Sequence, residues 1–121
     1  RVVFVDAADA AVRALRENLV ASGLRDRAEV WPVSVPSALR RLGRDGARFD
    51  GVIADPPYGE GWVQRTIDGV VGGRLLQPGG WLAIEHRPDE PPQPAGALVA
   101  CASRRHGNTT VTLLQDAGGE T

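Results

Sequence analysis

The residues of this chain best placed to do chemistry are four in a row, Asp55-Pro56-Pro57-Tyr58, which follow the apolar run Val52-Ile53-Ala54. Their types suit one task, the handling of an exocyclic amino group on a flat heterocycle. The Asp55 carboxylate accepts a hydrogen bond from the amine, and the carbonyl of Pro56 accepts a second. Pro57 limits where that carbonyl points, because its ring fixes φ. Tyr58 offers an aromatic face on which a base can stack. These features read as the loop of an amino-methyltransferase. The same four residues also make an ordinary turn after a buried strand, since proline cannot extend a ladder and aspartate favours turns. The surrounding elements must decide between the two.

Two further polar positions fall just past apolar strands. Asp6 follows Val2-Val3-Phe4-Val5, and Ser34 follows a strand candidate at 28–33. In open parallel sheets, ligands collect beyond the carboxyl ends of the strands. One carboxylate there can accept hydrogen bonds from two vicinal ribose hydroxyls, so Asp6 is a ribose candidate; it is also a natural turn residue ahead of a helix. Ser34 can meet an adenine edge or act as a simple turn hydroxyl. Glu85 and His86 end another strand on the same side and are candidates for the substrate cleft or for plain turn polarity.

The elements that position these groups can be read from periodicity. Val2 to Val5 is short and wholly apolar, which fits a strand buried on both faces. Asp9 is a possible cap for a helix carrying Ala11, Val12, Leu15, Leu19 and Val20 at helical spacing, stopped by Gly23. Ser37 can cap a short helix over 38–42. A strand over 49–54 delivers the Asp55 loop, and a helix over 61–71 follows. Gly72-Gly73 and Pro78-Gly79-Gly80 mark turns around a strand at 81–85. The proline-rich stretch 88–94 is a connector. Alternating segments at 98–104 and 110–115, joined by His106-Gly107-Asn108, form a hairpin. The alternation of strands and helices with an antiparallel ending is an α/β pattern.

Bulk properties restrict the function classes. With 121 residues the chain fits one domain, and its net charge of −1 provides no global basic field. All basic residues are arginines, and lysine and methionine are absent. Arg40, Arg41, Arg44 and Arg48 gather near one loop, and Arg104-Arg105-His106 sit at the hairpin tip; either group can touch phosphates or form a solvated surface. Cys101, the single cysteine, excludes an internal disulfide and is expected to be a small apolar filler. No His, Cys and carboxylate spacing suggests a metal site. No signal peptide or membrane-length apolar run is visible, so the default location is cytoplasmic. Arg1 opens directly into a strand, which suggests that a longer chain has been cut.

The order of elements and the Asp-Pro-Pro-Tyr loop resemble the class I S-adenosylmethionine-dependent methyltransferases. More narrowly, the chain is similar to the bacterial RsmD family, which methylates guanine N2 in small-subunit ribosomal RNA. The similarity rests on Val-Val-Phe-Val-Asp and the helix ending near Glu17-Asn18-Leu19, on Phe-Asp-Gly-Val-Ile-Ala-Asp-Pro-Pro-Tyr, and on Pro-Gly-Gly-Trp-Leu-Ala-Ile-Glu. It covers most of residues 1–115 and implies a Rossmann-like, mostly parallel sheet ending in an antiparallel hairpin. It implies a single partial methyltransferase domain over 1–121. S-adenosyl-L-methionine is the implied cofactor, held by Asp6, Ala7, Ser34, Val35 and Asp55. The implied catalytic residues are Asp55, Pro56, Pro57 and Tyr58, and the implied partner is ribosomal RNA or the small-subunit particle.

Two departures from the family pattern stand out. The glycine-rich loop after the family's first strand has no counterpart, and that strand lies between those at Val2 and Phe49. Both neighbours are therefore expected to lose a partner, leaving the chain alone inactive. The acidic or amide residue usual near the adenine is Ser34 here. Alternatives remain open: adenine-N6 or cytosine-N4 methylation of DNA, glutamine methylation of protein, or a methyltransferase-like binding module without activity.

Overall fold

The computed structural model describes residues 1–117, which divide after Arg41 into two compact units. In the first unit, β1 (Val2–Val5) pairs in parallel with β2 (Ala28–Trp31), with Val2 opposite Ala28 and Val5 opposite Trp31. The connection between them is α1 (Asp9–Ser22) and a single 3₁₀ turn, Arg25–Arg27. The helix stops where its periodicity ends. Gly23 adopts φ 74°, and its N–H reaches back to the carbonyls of Leu19 and Val20, the left-handed closure that glycine permits without a Cβ penalty.

Its start differs from expectation. Asp9 is the first helical residue rather than the cap, and no side chain caps the helix at Ala8. Asp6 instead accepts the Ala8 N–H at 2.9 Å, so the carboxylate at the end of β1 organises entry into α1. The apolar run of β1 is also less enclosed than a strand buried on both faces, since Val2 is exposed and the other three residues are half-buried. The reason is its pairing: β1 has β2 on one edge and no strand on the other among the described residues.

Helix α2 (Val35–Arg44) begins in the first unit and ends in the second. It is longer than the expected 38–42 and starts at a different serine. The Ser34 hydroxyl accepts the Ser37 N–H at 3.3 Å, a cap-to-third-residue bond, and Pro36 lies in the first turn, where its missing N–H costs nothing.

The second unit contains a four-stranded sheet in the order β3-β4-β6-β5, made from β3 (Phe49–Ala54), β4 (Leu76–His86), β5 (Leu98–His106) and β6 (Thr109–Asp116). β3 and β4 are parallel, linked through α3 (Trp62–Gly72), while β6 pairs antiparallel with both β4 and β5. The α/β class and the antiparallel ending are those expected. Gly107 takes φ 61° at the first of two turn residues, where a tight hairpin favours glycine.

One face of this sheet is covered. Val63 and Ile67 of α3 pack with Leu82 and Ile84 of β4, Leu98 of β5 and Leu114 of β6, with Val52 and Ala54 of β3 against them. Ile67, Leu82, Ile84 and Leu114 are fully buried, each contributing about 1.5–3 kcal/mol to folding by leaving water. The alternate residues of β3 and β4, including Gly51, Ile53, Trp81 and Ala83, point to the other face, on which Ile53 is 81% exposed. β3 has no strand on its outer edge among the described residues.

Candidate active site

The loop after β3 grows out of the strand register. Ala54 lies opposite Ile84, so the next residues, Asp55 and Glu85, are side by side at the carboxyl ends of parallel strands. Hydrogen bonding toward Asp55, then the charge of Asp55, then loss of solvent push the Glu85 carboxyl above the usual glutamate value. Asp55 is exposed and Glu85 half-buried, so the pair opens to solvent.

His86, the next residue, turns to the covered face and is buried. Its Nε2 is 2.7 Å from the Thr112 hydroxyl and its Nδ1 is 2.8 Å from the carbonyl of Arg87. A carbonyl can only accept, so Nδ1 donates to Arg87, while Nε2 pairs with a Thr112 hydroxyl that can either donate or accept. Of the two polar candidates at this strand end, Glu85 therefore joins the loop and His86 is a satisfied structural histidine.

Pro56 is half-buried and Pro57 exposed. Tyr58 is 59% exposed, yet it is held on two sides. Its hydroxyl donates to Asp89 Oδ2 at 3.4 Å, and the Arg87 guanidinium carbon sits 4.3 Å from the ring centroid. Glu90 accepts the backbone N–H of Gly59 at 3.2 Å, and Arg87 lies 3.9 Å from Asp89. Residues 87–90 thus brace the loop at three points. The sequence reading treated this stretch as a connector. The available signal was an arginine and two acids set among prolines, the two acids 31 positions from their partners.

The loop then turns sharply into α3. Gly59, Glu60 and Gly61 have φ of 83°, 56° and 73°, three consecutive left-handed residues, of which only the glycines adopt that conformation without strain.

In the first unit the cofactor candidates occupy the carboxyl ends of β1 and β2. Asp6 is half-buried; Oδ1 takes the Ala8 N–H, and Oδ2 has no hydrogen bond among the described residues. Ala7 is exposed beside it. The Ser34 hydroxyl accepts from Ser37, a role that leaves its own hydrogen free to donate elsewhere. Val35 opens α2 and is 40% exposed.

The arginines proposed for phosphates are largely engaged within the chain. Arg41 lies 4.2 Å from the Trp31 ring centroid, Arg40 donates to Ser37, and Arg48 donates to the carbonyl of Arg74. At the hairpin tip Arg105 donates to the carbonyl of Gly107. Among the described residues, no helix is long and apolar enough to cross a membrane.

Known proteins resemble this chain over nearly its whole length. YlbH of Bacillus subtilis, named as a candidate rRNA methyltransferase, is 27% identical over 117 residues, 96% of this chain and 64% of its own length. The chain therefore spans a little under two thirds of that relative. A candidate methylase of Haemophilus influenzae, HI0767, has a similar fold, with a TM-score of 0.83 and 21% identity over 96% of this chain and 72% of that one. More distantly, an O-methyltransferase from Bacillus cereus in complex with SAH has a TM-score of 0.72 and 13% identity over 95% of this chain and 62% of its own. The latter two likenesses establish a Rossmann-like fold. The family described as conserved hypothetical protein 95 matches residues 1–115, and the chain belongs to that family, the RsmD type.

Proposed function

We propose that this chain is part of a single methyltransferase domain that transfers a methyl group from S-adenosyl-L-methionine to an exocyclic amino group of a nucleobase, namely guanine N2 in small-subunit ribosomal RNA. The observation that carries this reading is the Asp55 loop at the carboxyl end of β3, with its carboxylate open to solvent and an exposed aromatic ring three residues on. Family membership and the rRNA methyltransferase name of YlbH support the choice of RNA.

The residues of the first unit suit an adenosyl group. Asp6 Oδ2 retains lone pairs for ribose hydroxyls, Ala7 presents small exposed backbone beside it, and Ser34 and Val35 offer a hydroxyl and an apolar surface to an adenine. When bound, the cofactor supplies an electrophilic methyl on a sulfonium.

The chain's own residues then act on the nucleophile. A guanine N2 lone pair is delocalised into the ring and attacks poorly. Hydrogen bonds from its two N–H groups to Asp55 and to the Pro56 carbonyl favour a pyramidal nitrogen, which localises the pair. Those bonds strengthen as positive charge develops on nitrogen, so they stabilise the transition state more than the ground state. Pro57 holds the carbonyl direction, and Tyr58 receives the base once it has left its stack. The released proton passes to Asp55 or to water.

The test is a radiolabelled methyl-transfer assay on the full-length protein, with small-subunit particles, naked ribosomal RNA, duplex DNA and a protein substrate offered in parallel. Label in ribosomal RNA that is lost in Asp55→Ala is the expected result. Label in DNA or protein would overturn the substrate, and no label in any of them would overturn the enzyme.

A further inference from the structure

The brace on Tyr58 has an asymmetry that the proposed reaction does not require. A free aromatic ring offers two faces. Here one is occupied by the guanidinium of Arg87, 4.3 Å from the centroid, and the ring edge is tied through the hydroxyl to Asp89. The salt contact between Arg87 and Asp89 at 3.9 Å and the Glu90 bond to Gly59 N–H link ring, cation and loop into one assembly. Yet Tyr58 remains 59% exposed, so surface remains for a flat ligand.

Resting on the base-stacking role above, we propose that Arg87 is the positioning and specificity-determining residue of the nucleobase platform. It backs one face of Tyr58, leaving the other to accept a single electron-rich purine. A cation on one face draws π density from the ring, and the polarised ring then stacks best on an electron-rich partner. Guanine and its 2-amino analogues are the most electron-rich of the natural-type bases, whereas pyrimidines stack weakly. Arg87 acts through Tyr58 and touches no reacting atom. Asp89 and Glu90 keep the pair in register with Asp55 by fixing the loop between them.

The probe is a short single-stranded RNA carrying one 2-aminopurine, whose fluorescence is quenched on stacking and whose amine sits where guanine carries its own. Binding to the full-length protein is followed by the anisotropy of a dye on the RNA end, and stacking by quenching, in wild type, Tyr58→Leu, Arg87→Gln, Arg87→Lys and the double variant Tyr58→Leu/Arg87→Gln. We expect wild type to quench and Tyr58→Leu to abolish the quench. Arg87→Gln should weaken binding about 3–10-fold, and Arg87→Lys should recover part of that loss because the cation is retained. In the Tyr58→Leu background, Arg87→Gln should change residual binding by less than about 1.5-fold, because its route runs through the ring. The salt dependence of binding should be unchanged.

An equal loss in both backgrounds, with the salt slope reduced by about one, would make Arg87 a phosphate ligand and overturn the proposal. Quenching lost in Tyr58→Leu but untouched in Arg87→Gln would overturn the proposal while leaving the base-stacking role standing. No quenching by wild type would remove both. A thermal unfolding curve for each variant shows that the comparison is between folded proteins.

Discussion

Gly51 of β3 faces the indole of Trp81 on β4 so closely that a methyl group at Gly51 would lie 2.1 Å from Cζ2 and 2.2 Å from Cε2 of that ring. The two are paired in register one turn of the pleat before Ile53 and Ala83, and two before Asp55 and Glu85. The glycine is needed for space rather than for backbone freedom. We expect Gly51→Ala to cost about 1–3 kcal/mol, the usual penalty for overpacking. In a Trp81→Leu background the same change should cost under about 0.5 kcal/mol, since the clash is gone. Urea unfolding of the four proteins measures both values. Equal penalties in the two backgrounds would show that the ring is not the cause.

The Asp55–Glu85 pair gives a pH dependence whose sign is fixed. Glu85 binds its proton more tightly in the folded chain than at its ordinary value of 4.5. An acid with a raised folded pKa contributes stability that is fully present below its unfolded value and is lost as pH rises through the folded one. Wild type should therefore lose melting temperature from about pH 4.5 upward relative to Glu85→Gln, which has no proton to lose. The gap should widen with pH and then level off once Glu85 is ionised. Asp55→Asn should narrow it by removing the charge that raises Glu85. Parallel Tm profiles for wild type and Glu85→Gln would show that the two carboxyls are not coupled.

How much of this was legible in the sequence depends on the range of the interactions involved. Strands β1 and β3, helix α1 and its Gly23 stop, and the final hairpin follow from local periodicity and turn chemistry, and the structure has them where those signals lie. Local signals failed where two candidates competed. Ser34 and Ser37 can each cap a helix, and Pro36 between them decides for Ser34, because proline fits the first turn. Cys101 sits in an alternating run, where a small apolar filler is expected. The register slips between Ala100 and Ala102, leaving Cys101 as the extra residue of a bulge, exposed and bonded to the Leu113 carbonyl. One inserted residue resets which face the following side chains occupy, and alternation alone does not show it. The Asp55 loop was readable as four adjacent residues. Its brace was not, because residues 87–90 reach Tyr58 and Gly59 only once β3 and β4 are paired.

The turn into α3 stores strain at one position. Glu60 has φ 56° between two left-handed glycines, and a side chain there costs about 1–2 kcal/mol. Glu60→Gly should recover part of that and raise stability, since nothing crowds the neighbouring glycines, and a methyl at Gly59 or Gly61 meets no atom within 4 Å. Gly59→Ala and Gly61→Ala should instead each destabilise by about 1 kcal/mol through backbone conformation alone. Differential scanning calorimetry of the three variants checks the ordering. A destabilised Glu60→Gly would mean that the Glu60 side chain makes a contribution larger than its strain.

Tyr58 should separate its two attachments kinetically. Tyr58→Phe keeps the ring under Arg87 and loses only the long 3.4 Å bond to Asp89, so methyl transfer should fall by no more than about threefold, the equivalent of ~0.6 kcal/mol. Tyr58→Ala removes the stacking surface, worth about 1–3 kcal/mol per base, and the loss should appear mainly as a KM raised by roughly 5–160-fold. Asp55→Ala should act on the other parameter. Under the proposed mechanism it removes an acceptor whose bond strengthens as charge builds on nitrogen, and kcat should fall on the order of 10²-fold with KM little changed. Steady-state kinetics on a single RNA substrate distinguish the two patterns. If Tyr58→Ala lowers kcat while Asp55→Ala raises KM, the roles given to ring and carboxylate are reversed, and the loop orients its substrate by some other contact.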